Sequence, residues 1–245
     1  MAILEVKKIN KTFPGGLFEV SRHVLKDVTF SLPEGETTGF VGSNGSGKTT
    51  SIKCMLQFMN LDGGEILFFG KPLNLEAKKR IGYLPERPYL YEFLTGMEFL
   101  RLHWNLVQDS SVEFVSRAHE ALKRVDLFEA RDKKLRKYSK GMLQRVGIAQ
   151  AIINRPDLLI LDEPMSGLDP DGRGLVKDIL RDEAKRGTSL FFSSHLLQDM
   201  EELCSHLVVI NNGTIIYDGG LTFFMKQYKS LEDAFRSAKE QGGAL

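Results

Sequence analysis

Cysteine is scarce, with only Cys54 and Cys204 in 245 residues. Two isolated thiols cannot frame a disulfide scaffold or supply a metal-ligand set, so each is expected to be a small packing residue. No apolar run approaches the about 20 residues that a membrane-crossing helix needs, and the start, Met1 to Lys8, lacks the arrangement of a secretory signal. A soluble, intracellular chain is therefore expected. An excess of either charge is missing too: 33 Lys and Arg stand against 32 Asp and Glu. That balance removes any general pull toward nucleic acid or an anionic membrane surface. Internal repeats and low-complexity linkers are also absent. The length nonetheless suffices for a substantial core, in one large or two intimately packed domains.

Glycine, by contrast, is concentrated where it has chemical meaning. Gly42-Ser43-Asn44-Gly45-Ser46-Gly47-Lys48-Thr49-Thr50 fits G-x-x-x-x-G-K-[ST] without a gap. A short β-prone run, Thr37–Val41, precedes it, and residues 50–56 can continue as a helix. Glycines at 42, 45 and 47 allow backbone dihedrals that a Cβ would forbid, so successive N–H groups can ring a phosphate. The helix start adds unpaired amides and the positive end of its dipole. Lys48 would reach the β- and γ-phosphates and the Thr49 hydroxyl would ligate Mg²⁺. The competing reading is a glycine-rich turn with an accidental lysine; the strand-loop-helix order favours nucleotide binding.

Upstream, the alternation of residues 3–9 and of Val28–Leu32 predicts antiparallel strands with one buried face. Phe13, or less favourably Phe18, could stack on an adenine ring, although a lone aromatic near a strand end usually belongs to a core. Downstream, Gly63–Gly70 reads as a strand bracketed by turns. Ile81–Leu84 is a short strand stopped by Pro85, with Glu86 next. From Leu94 to about Ile153 the spacing is helical, which implies a helical subdomain inserted between two βα portions.

Two later strand ends carry polar groups. Leu158–Leu161 is an uninterrupted apolar run, as expected of a parallel strand covered on both faces, and it ends in Asp162, Glu163 and Pro164. Ligands bind at that edge of open α/β sheets. Asp162 would hold Mg²⁺ and Glu163 would act as general base on the attacking water, against the alternative of a solvated acidic turn. Residues 188–194 form a similar run ending in His195, placed to bond a γ-phosphate or orient water. The other four histidines are expected to be surface or packing residues. Residues 207–217 hold two β-runs around Asn212-Gly213, a hairpin signal. Residues 221–240 read as an amphipathic helical tail with no regulatory domain behind it.

Ser139 is a natural N-cap for the helix that follows Tyr138-Ser139-Lys140-Gly141-Met142, a second anion-reading helix start. Taken in order, Gly42–Thr50, Glu86, Ser139–Met142, Leu158–Glu163, Ser166-Gly167-Leu168-Asp169 and His195 resemble the nucleotide-binding subunit of an ATP-binding cassette (ABC) transporter across nearly the whole chain. The resemblance implies a head-to-tail homodimer, or a pair with a paralogous cassette, sandwiching two Mg²⁺-ATP molecules. Each ATP would meet one protomer's phosphate loop and the other's Ser139, Lys140 and Gly141. Asp169 would lie at the dimer seam, His195 would be the switch histidine, and Phe13 would be the adenine ring's partner.

Two departures stand out. The common Leu-Ser-Gly-Gly-Gln signature is here Tyr-Ser-Lys-Gly-Met, similar to exporter-type subunits; Met142 loses a donor that Lys140 could replace with charge. Glu86 stands where glutamine is usual, and its carboxylate can still bind Mg²⁺ or accept from water. The basic run Arg131–Lys137 reads as a solvated face, or as a surface for ATP or an acidic loop of a membrane subunit.

The expected fold is thus an α/β P-loop NTPase core with a parallel sheet, an antiparallel N-terminal β portion and a helical subdomain at about 88–155, all within one ABC ATPase domain spanning 1–245. The expected activity is ATP hydrolysis powering export through a transmembrane permease on a separate chain, at the cytoplasmic face of the membrane, with no nucleic acid partner. One alternative is a soluble ABC ATPase acting on nucleic acid or ribosomes; the stretch 88–138 is too short for the coiled coil of chromosome-type relatives, and a single cassette does not match translation-type ones. The other is a regulatory module that holds ATP uncleaved, against which Asp162, Glu163 and His195 argue.

Overall fold

The computed structural model describes residues 1–15, 21–107, 113–226 and 228–240. Its strands are β1 (Ala2–Phe13), β2 (Arg22–Pro33), β3 (Thr37–Val41), β4 (Gly63–Phe68), β5 (Lys71–Pro72), β6 (Ile81–Leu84), β7 (Leu158–Leu161), β8 (Ser189–Ser193), β9 (His206–Asn211) and β10 (Thr214–Gly220). Its α-helices are α1 (Lys48–Met55), α2 (Leu75–Lys79), α3 (Gly96–Val107), α4 (Phe114–Arg124), α5 (Lys140–Ile152), α6 (Pro170–Lys185), α7 (Leu197–Leu203), α8 (Leu221–Phe224) and α9 (Leu231–Glu240). The protein is α/β, with a mixed sheet of mostly parallel strands and an antiparallel N-terminal sheet. Its contacts divide it into two units, Met1–Leu73 with Phe191–Leu245, and Asn74–Leu190.

In the first unit, β1 pairs antiparallel with β2 on one side and β4 on the other. The alternation expected over residues 3–9 is not clean. Ile3 and Leu4 are both buried, and Lys8 takes φ 48 where the register slips between Val6 and Ile9. A bulge inserts one extra residue, so both Val6 and Ile9 point into the core although three positions apart. All five residues of β3 are buried. The Phe40 ring lies 5.7 Å from Phe30 and 5.1 Å from Phe191, an aromatic core at the foot of the phosphate loop. Strand β3 runs parallel to β9, and β9 turns into β10 through Asn212 (φ 47) and Gly213 (φ 82), the two left-handed residues that an Asn-Gly hairpin demands.

The C-terminal segment is two helices rather than the single amphipathic one expected over 221–240. Helix α8 stops at Phe224 and α9 starts afresh at Leu231, because Ser230 Oγ accepts from the Asp233 N–H at 3.2 Å and Glu201 accepts from the Leu231 N–H. That capping opens a new helix instead of extending the old one. Phe18 lies outside the described residues.

In the second unit, β6 and β7 pair in parallel from Ile81 opposite Leu158 to Leu84 opposite Leu161. All four residues of β7 are buried. Helix α5 closes on β6 through glycines: a Cβ at Gly147 would come within 2.7 Å of Leu84 Cδ1, and one at Gly82 would run into the backbone oxygen of Ala151. Helices α3 and α4 meet at Trp104 and Phe114, whose rings lie 6.1 Å apart. The basic run is partly engaged. Lys134 pairs with Glu98 at 3.1 Å and the Arg131 guanidinium lies 4.2 Å over the Phe128 ring, while Lys133, Arg136 and Lys137 stay exposed. The thiols of Cys54 and Cys204 are buried and free, and burial pushes both upward in pKa, away from the thiolate form.

Candidate functional site

The phosphate loop sits between β3 and α1 of the first unit. Gly45 takes φ 77 and Gly47 φ 115, and the Ser46 N–H donates to Ser43 O at 3.0 Å. A Cβ at Gly42 would come within 2.5 Å of Ile210 O, and one at Gly47 within 2.9 Å of Leu25 Cδ2. Side chains are therefore excluded from the backbone cradle at both positions. Lys48 is buried and bends back over the loop, its Nζ donating to Gly42 O at 2.7 Å and Ser43 O at 3.3 Å. Ser46 Oγ is buried with no acceptor or donor among the described residues, whereas Asn44 and Gly45 are exposed at the crown of the loop. Thr49 and Thr50 are half-buried in the first turn of α1.

Two other expected residues belong to this unit. Phe13 ends β1 half-buried, with Lys11 Nζ 6.0 Å from its ring centroid. His195 is exposed between β8 and α7 and lines a groove with Gln198, Glu201, Phe235 and Arg236.

The acids lie in the second unit. Asp162 is buried at the end of β7, and its N–H donates to Leu84 O at 2.8 Å, which ties the acidic turn to the end of β6. Burial, then the Asp162 carboxylate, pushes the Tyr83 hydroxyl up to about 12. Glu163 has φ 53, a left-handed backbone uncommon for a residue with a Cβ. Gln144 of α5 braces that conformation, its Nε2 donating to Glu163 O at 3.3 Å and Pro164 O at 3.1 Å. Glu86 is exposed after β6, and three exposed aromatics follow it: Tyr89 at 94%, Tyr91 at 53% and Phe93 at 67%.

Two helix starts open onto one groove of this unit. Ser139 caps α5, its Oγ accepting from the Met142 N–H at 3.2 Å; Asp169 caps α6, accepting from the Gly172 N–H at 2.8 Å. Ser139, Gly141, Gly167 and Asp169 line a groove of about 520 Å³. Lys140 is exposed and its stem lies over Gly167, where a Cβ would come within 2.7 Å of Lys140 Cε.

The ABC transporter family model matches residues 25–166, which is more than half of the chain. The chain belongs to the ABC transporter family. It is 41% identical over 224 residues to an ABC transporter ATP-binding protein of Nostoc sp., covering 90% of this chain and 67% of that one. It is 31% identical over 223 residues to the linearmycin resistance ATP-binding protein of Bacillus subtilis, covering 90% of this chain and 70% of that one. A solved structure of an ATP-binding subunit of an ABC transporter superposes with a TM-score of 0.86 at 32% identity, covering 97% of this chain and 99% of that chain.

The protein is thus the ATP-binding subunit of an ABC transporter. Its phosphate loop fits a polyphosphate: a cradle that excludes side chains, a cation folded over it and an orphaned buried hydroxyl at Ser46. Of the residues expected to bind metal, Thr49 in the first unit and Glu86 and Asp162 in the second each carry a hard oxygen donor of the kind Mg²⁺ takes. Among the described residues no cluster of three or more His, Cys, Asp or Glu could hold a metal by itself. Each unit holds its own share of the expected set. Phe13, residues 42–50 and His195 lie in the first, and Glu86, Ser139, Lys140, Gly141, Asp162, Glu163 and Asp169 in the second. Sequence reasoning missed Gln144, which sits one helical turn beyond Gly141. A buried amide at helical spacing from an N-cap was the available signal.

Proposed function

We propose that this subunit binds Mg²⁺-ATP with residues 42–50 and hydrolyses it in a head-to-tail pair, either with a second copy or with a paralogous cassette. The observation that carries the reading is the groove shared by Ser139, Gly141 and Asp169, where the capped starts of α5 and α6 open together. Helix starts present unpaired N–H groups and favour negative charge, so this groove suits the γ-phosphate held by the other protomer's loop. Mg²⁺, when bound, spreads positive charge over the phosphate oxygens. Thr49, Glu86 and Asp162 would hold it. Glu163 takes the proton from the attacking water, His195 orients the reacting phosphate, and Phe13 stacks on adenine. Lys140 adds a cation at the mouth of the signature turn.

The whole chain acts as one ABC ATPase domain with its helical portion at about 88–155. Its membrane partner is a permease on a separate chain, engaged at the cytoplasmic face. The exposed Tyr89, Tyr91 and Phe93 after Glu86 support a docking role there, since aromatics anchor protein interfaces. Export is the favoured direction, supported by the Tyr-Ser-Lys-Gly-Met signature and by a relative named for linearmycin resistance.

The test is Glu163→Gln. With Mg²⁺-ATP it is expected to elute as a dimer and with ADP as a monomer, while turnover falls about 10²- to 10⁴-fold. Undiminished turnover would remove Glu163 from its role, and a monomer under all nucleotide conditions would sink the paired site.

A further inference from the structure

Lys48 is not alone as a cation at the phosphate loop. Arg22, the first residue of β2, is exposed and reaches the loop's crown, where its Nη2 lies 3.6 Å from the point that a Cβ on Gly45 would occupy. The backbone fixes this approach. Strand β2 runs alongside the loop, with Leu25 Cδ2 and Val24 O lying 2.9 Å and 3.4 Å from a Cβ placed on Gly47. Gly213, in the turn between β9 and β10, closes the seam: its N–H donates to Ser46 O at 3.0 Å and its O accepts from the Lys26 N–H at 2.8 Å. Arg22 is therefore carried to the loop by the fold of the first unit.

Across the β1–β2 ladder Arg22 stands opposite Phe13, and directly opposed residues of an antiparallel pair project as neighbours from one face of the sheet. The ring proposed to stack on adenine and a guanidinium beside the phosphate cradle thus share that face. The guanidinium has no hydrogen-bond or ion-pair partner among the described residues, so its N–H donors are open to a ligand. Lys48, by contrast, is buried and bonds the Gly42 and Ser43 carbonyls from within. A phosphate chain seated in the loop turns some of its charged oxygens inward and others outward. The planar fork of an arginine suits the outward ones, which it can take by parallel charge-assisted bonds.

We propose that Arg22 is a further nucleotide-binding residue, bonding a phosphate oxygen of ATP or ADP from the open side of the loop. The inference rests on the reading of residues 42–50 as the nucleotide site.

The experiment is calorimetric titration of the full chain with Mg²⁺-ADP, and with tripolyphosphate displacing ADP, in the wild type, Arg22→Gln, Arg22→Lys and Lys48→Ala. Arg22→Gln is expected to weaken both ligands about 10-fold, and Arg22→Lys to recover part of that loss, since it keeps the charge without the fork. Without nucleotide, Arg22→Gln should melt with the wild type, because the guanidinium has no protein partner to lose. A lowered melting temperature would mark a structural role and overturn the proposal. So would a loss confined to ADP with tripolyphosphate untouched, which would move Arg22 to the base or sugar. Lys48→Ala separates the two readings. Wild-type affinity in that variant would remove residues 42–50 from the nucleotide site and this proposal with them; weakened Lys48→Ala beside an intact Arg22→Gln would sink Arg22 alone.

Discussion

Glu163 shows how function and backbone conformation conflict at a single position. Its φ of 53 costs about 1 kcal/mol relative to an ordinary conformation, and Gln144 holds the strain in place through two carbonyls. Glycine would relieve the strain but carries no base. Glu163→Gly is therefore expected to melt about 2 °C above Glu163→Gln while both lose turnover, as differential scanning calorimetry beside a phosphate-release assay would show. Lys48 makes a complementary case. Its ammonium bonds Gly42 and Ser43 carbonyls that phosphate oxygens can replace as partners. Lys48→Ala should weaken ATP binding about 10- to 100-fold, the worth of a charge-assisted hydrogen bond, and calorimetric titration with ATP measures it.

Helix α5 does three jobs with one face each. Its Ser139 cap opens onto the signature groove, Gln144 braces the acidic turn, and Gly147 lets it close on β6. Ser139→Ala removes the Oγ that accepts from Met142, so a loss of about 1 kcal/mol, or about 2–4 °C in melting temperature, is expected beside any loss of activity. Gly147→Leu attacks the other end. Its Cβ alone would come within 2.7 Å of Leu84 Cδ1 and 3.2 Å of Pro88 Cγ, so overpacking should cost about 1–3 kcal/mol and appear as a lower urea midpoint with an unchanged m-value. An unchanged midpoint would show that α5 can lift from β6 without penalty.

The chain as a whole was unevenly legible. The β3-loop-α1 segment, the buried run of β7, the Asn212-Gly213 hairpin and the Ser139 cap could all be read from residue order, because each is set by local chemistry: a glycine's dihedral freedom, a capping oxygen, an apolar run of strand length. Family membership was legible for the same reason, since its motifs are contiguous stretches. Pairing partners and long-range braces were not. The Lys8 bulge arises because β1 must match β2 and β4 at once, and the break before α9 depends on Glu201, 30 positions upstream of Leu231. The left-handed turn at Glu163, the Gln144 amide beneath it and the approach of Arg22 to Gly45 likewise join residues far apart in the chain. Residue order by itself therefore determined which segments become strands, loops and helix starts and what chemistry each can carry. Only the tertiary structure decided which side chains meet, because contacts between distant segments follow from packing that no local pattern encodes.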